Sequence, residues 1–242
     1  MHPLAWARPG PACVCYGKLE NLARRVRNLI GSNLGSAGFA SQSQPRRVIH
    51  ALSAGWREGG DVRMDSESLF DMLRDRGDGR YGLSDVTQLE HALQSAMLAC
   101  ERNLGDELII AALMHDLGHL LVGEDVDLAA QGIDDRHENG GAQALAQVYG
   151  PGVAEPVRLH VAAKRYLCAA NPDYYERLAE DSKASLDLQG GPMSPAEMAD
   201  FDLLTFRSAA LALRIIDDQA KIPKQKTPEL GSYLSLAKRL ET

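Results

Sequence analysis

An all-α fold is what this sequence of 242 residues predicts, on three observations. From Met64 onward, apolar residues recur at three- and four-residue intervals, the spacing that lines one face of a helix. Helix-starting pairs recur too, as Asn171-Pro172 and as Ser194-Pro195 with Glu197 completing a capping box; such pairs satisfy the free N–H groups of a first turn. No stretch shows the strict alternation of paired, half-buried strands.

The elements follow in order. Residues 1–62 are rich in Gly, Ser, Pro and Arg, as in "PGPACVCYGK" and "GSNLGSAGFASQSQPRR", and only "LENLARRVRNLI" has helical periodicity. That composition reads as a poorly ordered or loosely attached extension, with residues 63–242 as the working domain. "MDSESLFDMLRDRG" opens that domain as a capped helix. Leu89, Leu93, Ala96, Met97 and Cys100 stripe the next helix, and "DELIIAALMHDLGHLL" reads as one continuous helix with Asp106 as its N-cap. "RHENGGAQALAQVYG" and "VAEPVRLHVAAKRYLCAA" supply two more, and "NPDYYERLAED" another. "DFDLLTFRSAALALRIIDDQAK" follows the Ser194 capping box, and "TPELGSYLSLAKRLE" closes the chain.

Bulk composition excludes several classes. A net charge of -7 and a pI near 5.5 argue against a duplex-binding surface, which needs concentrated Lys and Arg to displace counterions. No run of 18 apolar residues occurs and the N-terminus lacks a secretory layout, so no membrane partner is expected and a cytoplasmic setting is the default. Cys13, Cys15, Cys100 and Cys168 form no CxxC pair. Neither a disulfide framework nor a zinc ribbon is supported, and Cys100 and Cys168 read as small apolar core residues.

Chemistry concentrates in the histidines. Five of the seven, His91, His115, His119, His137 and His160, fall within one span of about 70 residues. A lone helical histidine is ordinarily a surface or hydrogen-bonded core residue. "LMHDLGH" is different, because it sets Asp116 beside His115 in an apolar helix, where an unpaired carboxylate costs several kcal/mol. A cation offsets that cost. Helical spacing stacks His115 and His119 on one face, with Asp116 about 100° round. Asp217 raises the same question in "ALALRIIDD", although Asp217 and Asp218 also read as solvated acids near a helix end.

His91, His115, Asp116 and Asp217 spell the H…HD…D pattern, which resembles the HD-domain superfamily of helical metal proteins. His137 and His160 bring the set to six, too many for one ion that must also hold substrate. Two ions fit better, with Asp116 bridging them. The segments "QLEHALQ", "ALMHDLGH", "RHENGGA", "HVAAKRYL" and "QGGPM" resemble, from about Tyr81 to Lys221, the HD-domain mixed-valent diiron oxygenases. Those enzymes cleave the carbon–phosphorus bond of hydroxylated aminoalkylphosphonates and are distant relatives of myo-inositol oxygenase.

The resemblance implies an HD-domain helical bundle with a dinuclear site in its core. It implies two iron ions, Fe(II)/Fe(III), with dioxygen as co-substrate. His91, His115 and Asp217 would hold one iron, His137 and His160 the other, with Asp116 between. The substrate it implies is a 1-hydroxy-2-(amino or methylated amino)alkylphosphonate, cleaved to phosphate and a carboxylic acid such as glycine. His119, Ser182 and Gln189 would contact substrate, and Tyr81 would guard an open iron position. Spacing adds a check, since Lys164 follows His160 by four residues and Arg214 precedes Asp217 by three, so each cation shares a helical face with a ligand. Such cations suit a phosphonate, although Lys164 and Arg165 also read as a solvated basic face. One position departs from the pattern: where family members acting on the free 2-amino compound carry a glutamate that pairs with the ammonium, this chain has Ser84, followed by Asp85. The rival readings are a binuclear HD phosphohydrolase acting on a phosphate ester, and a binding module without turnover.

Overall fold

A computed structural model describes residues 64–79, 85–121 and 136–242. The expected extension over residues 1–62, together with Tyr81 and Ser84, lies outside the described residues. Those described form eleven α-helices, one short 3-10 turn and no strand: α1 (Ser66–Arg76), α2 (Gln88–Glu101), α3 (Asp106–Met114), α4 (Leu117–Leu121), α5 (His137–Leu145), α6 (Pro151–Ala170), α7 (Pro172–Arg177), α8 (Glu180–Leu188), α9 (Pro195–Asp202), α10 (Arg207–Asp217), the 3-10 turn Leu230–Tyr233 and α11 (Leu234–Arg239). The predicted class is therefore the observed one.

Local chemistry explains the starts. Asp65 accepts from the Ser68 backbone N–H at 2.9 Å to open α1. Thr87 and Glu90 close a reciprocal capping box on α2, and Ser194 and Glu197 do the same for α9; each such cap is worth about 1 kcal/mol. Asn171 caps α7 with Pro172 in its first position.

Four expectations need correction. The Asp106–Leu121 segment is not one helix: α3 ends at Met114, His115 and Asp116 form a turn, and α4 restarts at Leu117. The cause is a close approach, because a Cβ on Gly118 would lie 1.9 Å from the His137 carbonyl oxygen, so the chain bends to seat α4 against the start of α5. Asp106 is the first helical residue rather than the cap, which is Gly105 at φ 94°, a conformation glycine adopts at little cost. The helix from Asn171 stops at Arg177, because Leu178 turns extended to bury itself against Cys168 and Leu186, and α8 begins afresh. Finally, the segment from Asp200 divides between the end of α9 and α10, which starts at Arg207.

The long helix α6 is the axis of the bundle, packed against α10, α5 and α3. Its one side joins the main core through Val153, Val157 and their neighbours on α3, including Ile110, Leu113 and Met114; its other side packs Leu159, Tyr166 and Leu167 on Phe201 and Leu211. Each fully buried aliphatic or aromatic side chain of this kind contributes about 1.5–3 kcal/mol. The chain end is tied back by the Ser66 N–H donating to Glu241 at 3.0 Å and the Thr242 N–H donating to the Val148 carbonyl at 3.0 Å. The helices around α6 thus hold their inner faces at fixed distances, and the polar residues on those faces form the site.

Candidate metal centre

His91 stands on the buried face of α2, one turn past the Thr87 cap, and is fully buried. His115 and Asp116 occupy the α3–α4 turn, His137 opens α5, His160 lies midway along α6 and Asp217 ends α10. Five segments remote in sequence therefore deliver six groups to one place. They form two clusters, His91 with His115 and Asp217, and Asp116 with His137 and His160, whose ligand atoms lie within 4.8 Å of one another in each.

Asp116 belongs to both. Its Oδ2 is 3.6 Å from His91 Nε2 and 3.3 Å from His115 Nε2, while its Oδ1 is 3.6 Å from His137 Nε2 and 3.7 Å from His160 Nε2. Asp217 Oδ1 lies 3.4 Å from His91 Nε2, and its other oxygen accepts from Arg214 Nη1 at 2.5 Å.

Tautomers decide what these atoms can hold. Nδ1 of His91 meets the Ala220 carbonyl at 2.9 Å, Nδ1 of His115 the Ala112 carbonyl at 2.9 Å, and Nδ1 of His160 the Val157 carbonyl at 2.7 Å. A carbonyl only accepts, so each Nδ1 carries the proton and each Nε2 presents a lone pair inward. Burial, reinforced by the neighbouring His115, pushes His91 down to about 4, and burial together with His137 pushes His160 down as well; both rings are neutral at pH 7. Nε2 atoms of His91 and His115 nevertheless stand 3.1 Å apart, and Asp116 Oδ2 and Asp217 Oδ1 are buried without a hydrogen-bond donor. Lone pairs facing lone pairs and carboxylate oxygens repel unless a cation lies among them. The residues fit two metal ions of the class bound by imidazole and carboxylate, with one carboxylate shared. Burial would raise the Asp116 carboxyl, but His115, His119, His137 and His91 outweigh it and hold it well below the usual carboxylate range.

His119 does not share a face with His115, as the unbroken helix predicted. The α3–α4 turn carries it to the second cluster, where its ring stacks on His137 at 3.8 Å between centroids. Lys164, Ser182 and Arg214 gather beside the first cluster. Lys164, 3% exposed, donates to Ser185 Oγ at 2.8 Å and approaches the Ser182 carbonyl at 3.5 Å. Arg214 Nη2 reaches Ser182 Oγ at 3.5 Å and also bonds Asp218, while its Nε donates to Tyr174 OH at 3.1 Å. The buried Lys164 is thus not part of a solvated face, whereas its neighbour Arg165 points away, binding the Gly191 carbonyl at 2.8 Å and Glu197 at 2.7 Å. That contact pins the "QGGPM" turn, in which Gly190 and Gly191 have φ of 94° and 71° and Gln189 has its Oε1 buried with no partner. Asp217 and Asp218, open to a solvated reading from sequence, are the acids of the Arg214 network. Cys100 and Cys168 are free thiols, the first partly and the second fully buried.

Sequence reasoning missed three participants: Ser185, Tyr174 and Lys221. Lys221 follows Asp217 by four residues, the same spacing that singled out Lys164, so the signal was present. Tyr174 had none, because only the packing of α7 on α10 brings its hydroxyl to Arg214 and Asp218.

A helical bundle whose inner faces converge on H…HD…D and two further histidines defines an HD-domain metalloprotein, and residues 89–189 match the HD domain family. The chain is 47% identical over 167 residues to a hydroxymethylphosphonate dioxygenase of Gimesia maris, covering 69% of this chain and 83% of that one. It is 39% identical over 166 residues to a [1-hydroxy-2-(trimethylamino)ethyl]phosphonate dioxygenase (glycine-betaine-forming) of Leisingera caerulea, covering 68% and 84%. An uncharacterized protein of Acanthamoeba polyphaga mimivirus is 30% identical over 171 residues, covering 70% and 78%. This chain belongs to the HD-domain phosphonate dioxygenase family. Among the described residues, no helix is long and apolar enough to cross a membrane.

Proposed function

We propose that this protein is a non-haem diiron dioxygenase that cleaves the carbon–phosphorus bond of a 1-hydroxyalkylphosphonate. The observation that carries the reading is one buried carboxylate, Asp116, divided between two histidine clusters, with a wall of cations immediately beside the first. Iron at these positions supplies one-electron chemistry toward dioxygen. His91, His115 and Asp217 would hold one ion and His137 and His160 the other, with Asp116 contributing to both sites.

The chain's own residues do the rest. Lys164, Arg214, Ser182 and Gln189 bind the phosphonate oxygens, Arg214 being kept in place by Asp217, Asp218 and Tyr174, so that the anion meets preformed donors. His119, braced on His137, faces the substrate from the second cluster, and Tyr81 guards the open position. Burial around the clusters excludes water from reactive species.

The substrate reading follows from the position of Ser84. The glutamate that would pair with a primary ammonium is absent, and the names of the Gimesia and Leisingera relatives specify a hydroxymethyl and a trimethylamino compound, neither with a primary amine. We therefore place hydroxymethylphosphonate or a 1-hydroxy-2-(methylated amino)alkylphosphonate ahead of the free 2-amino compound. With hydroxymethylphosphonate, one dioxygen is consumed, the C–P bond breaks, and formate and phosphate leave. The test is phosphate release by iron-reconstituted protein with and without oxygen, alongside metal analysis. Oxygen-dependent release with two irons per chain is expected; release without oxygen, or a single metal per chain at saturation, overturns the reading in favour of a hydrolase or a mononuclear site.

A further inference from the structure

Lys221 lies just past α10, where the chain leaves the bundle core. Its ammonium turns back toward the site, 3.3 Å from Ser182 Oγ and 3.8 Å from Asp217 Oδ1. Ser182 is thereby the meeting point of three cations from three segments: Lys164 from α6 at its carbonyl, Arg214 from α10 at its hydroxyl, and Lys221 at the same hydroxyl. All three side chains are largely withdrawn from solvent, Lys221 included at 11% side-chain exposure. Asp217 and Asp218 are the carboxylates among these cations and both are engaged by Arg214, so the convergence of two further ammonium groups on Ser182 suits an anion arriving there.

The three differ in freedom. Arg214 divides its donors among Asp217, Asp218, Tyr174 and Ser182, so it is the rigid member. The two lysines approach on flexible stems, one at the Ser182 carbonyl and one at its hydroxyl, and each brings an ammonium with several donors. A tetrahedral phosphonate has three oxygens and, as a dianion, needs more positive charge than one arginine already shared with two carboxylates supplies. Asp217 Oδ1, the oxygen nearest Lys221, is also an oxygen of the first metal cluster.

We propose that Lys221 is a phosphonate-binding residue, the third cation of the anion site, joining the bound substrate to the carboxylate that holds the first metal. The inference rests on the reading of Lys164, Arg214 and Ser182 as the phosphonate site. A lysine serving only to steady Asp217 would make a different prediction, which separates the two roles.

The experiment uses the full chain, iron-reconstituted and kept anaerobic, titrated calorimetrically with inorganic phosphate and with hydroxymethylphosphonate. Lys221→Met is expected to weaken both ligands tenfold or more with two irons per chain retained, and Lys221→Arg to recover most of the affinity. Unchanged affinity in Lys221→Met, or loss of iron as its sole effect, overturns the proposal. Lys164→Met is run beside it: if that variant also binds phosphate with full affinity, the anion site itself is wrong, whereas weakening by Lys164→Met alone removes only the role of Lys221. Should Lys221→Met fail to fold, Lys221→Gln carries the same test.

Discussion

The metal cage and the cation wall are adjacent, share Asp217, and are built on opposite logic. The wall is complete as it stands: Arg214 is matched by two carboxylates and a tyrosine, and Lys164 by a hydroxyl and a carbonyl. In the cage, by contrast, imidazole lone pairs face one another and carboxylate oxygens have no hydrogen-bond donor. The difference teaches that the two regions fail differently. Removing a group from the cage should cost metal, whereas removing one from the wall should leave the cage standing and cost affinity for the anion.

The largest expected effect comes from the residue common to both clusters. Asp116→Ala should bring iron from two per chain to below one and reduce phosphate release by more than the roughly 10–100-fold that outer partners of a metal site are worth. Metal analysis and oxygen uptake check it, and full activity would break the comparison. Lys164→Ala should retain both ions and weaken phosphonate binding by roughly 10–150-fold, the equivalent of about 1.5–3 kcal/mol for a charged hydrogen bond. A pH series sharpens this prediction. Burial, aided by Arg214, pushes Lys164 down to about 7 from its ordinary 10.5, so the ammonium loses its proton as pH rises through about 7 and affinity for the anion should fall there; Lys164→Ala should abolish that dependence. For stability of the metal-free protein the sign is opposite. Between about 7 and 10.5 the unfolded chain binds the extra proton, so the cost of burying the charge fades as pH rises across that window.

Smaller effects test the frame that holds the cage. Gly118→Ala sets a methyl 1.9 Å from the His137 carbonyl oxygen, which backbone must yield to accommodate; a loss of about 1–3 kcal/mol in urea unfolding is expected, with iron lost from the His137–His160 position first. Ser194→Ala should cost about 1 kcal/mol and leave metal content unchanged, since the α9 cap serves neither region directly.

Much of the cage was legible without coordinates. An aspartate beside a histidine in an apolar run is a local contradiction that a cation resolves, and that argument singles out His115 and Asp116 unaided. Lys164 was legible for the same kind of reason, since its spacing from His160 is set by the helix. His119 was misplaced because the break after Met114 originates in a contact between Gly118 and His137, residues 19 apart in the chain, and no periodicity reports on such a contact. Tyr174 and the true role of Arg165 were out of reach on the same ground, each depending on how one helix lies against another.

The sequence by itself determined the all-α class, the caps at Thr87, Asn171 and Ser194 and which residue types could bind metal and anion, because those properties are set by neighbours within one or two turns. Tertiary structure alone decided that one oxygen of Asp116 serves each cluster, that His119 belongs to the second cluster and not the first, and that Lys221 meets Lys164 and Arg214 at Ser182. The physical reason is range. Coordination and charge complementarity act over about 3–4 Å between atoms, and only the packing of distant segments brings such atoms within that reach.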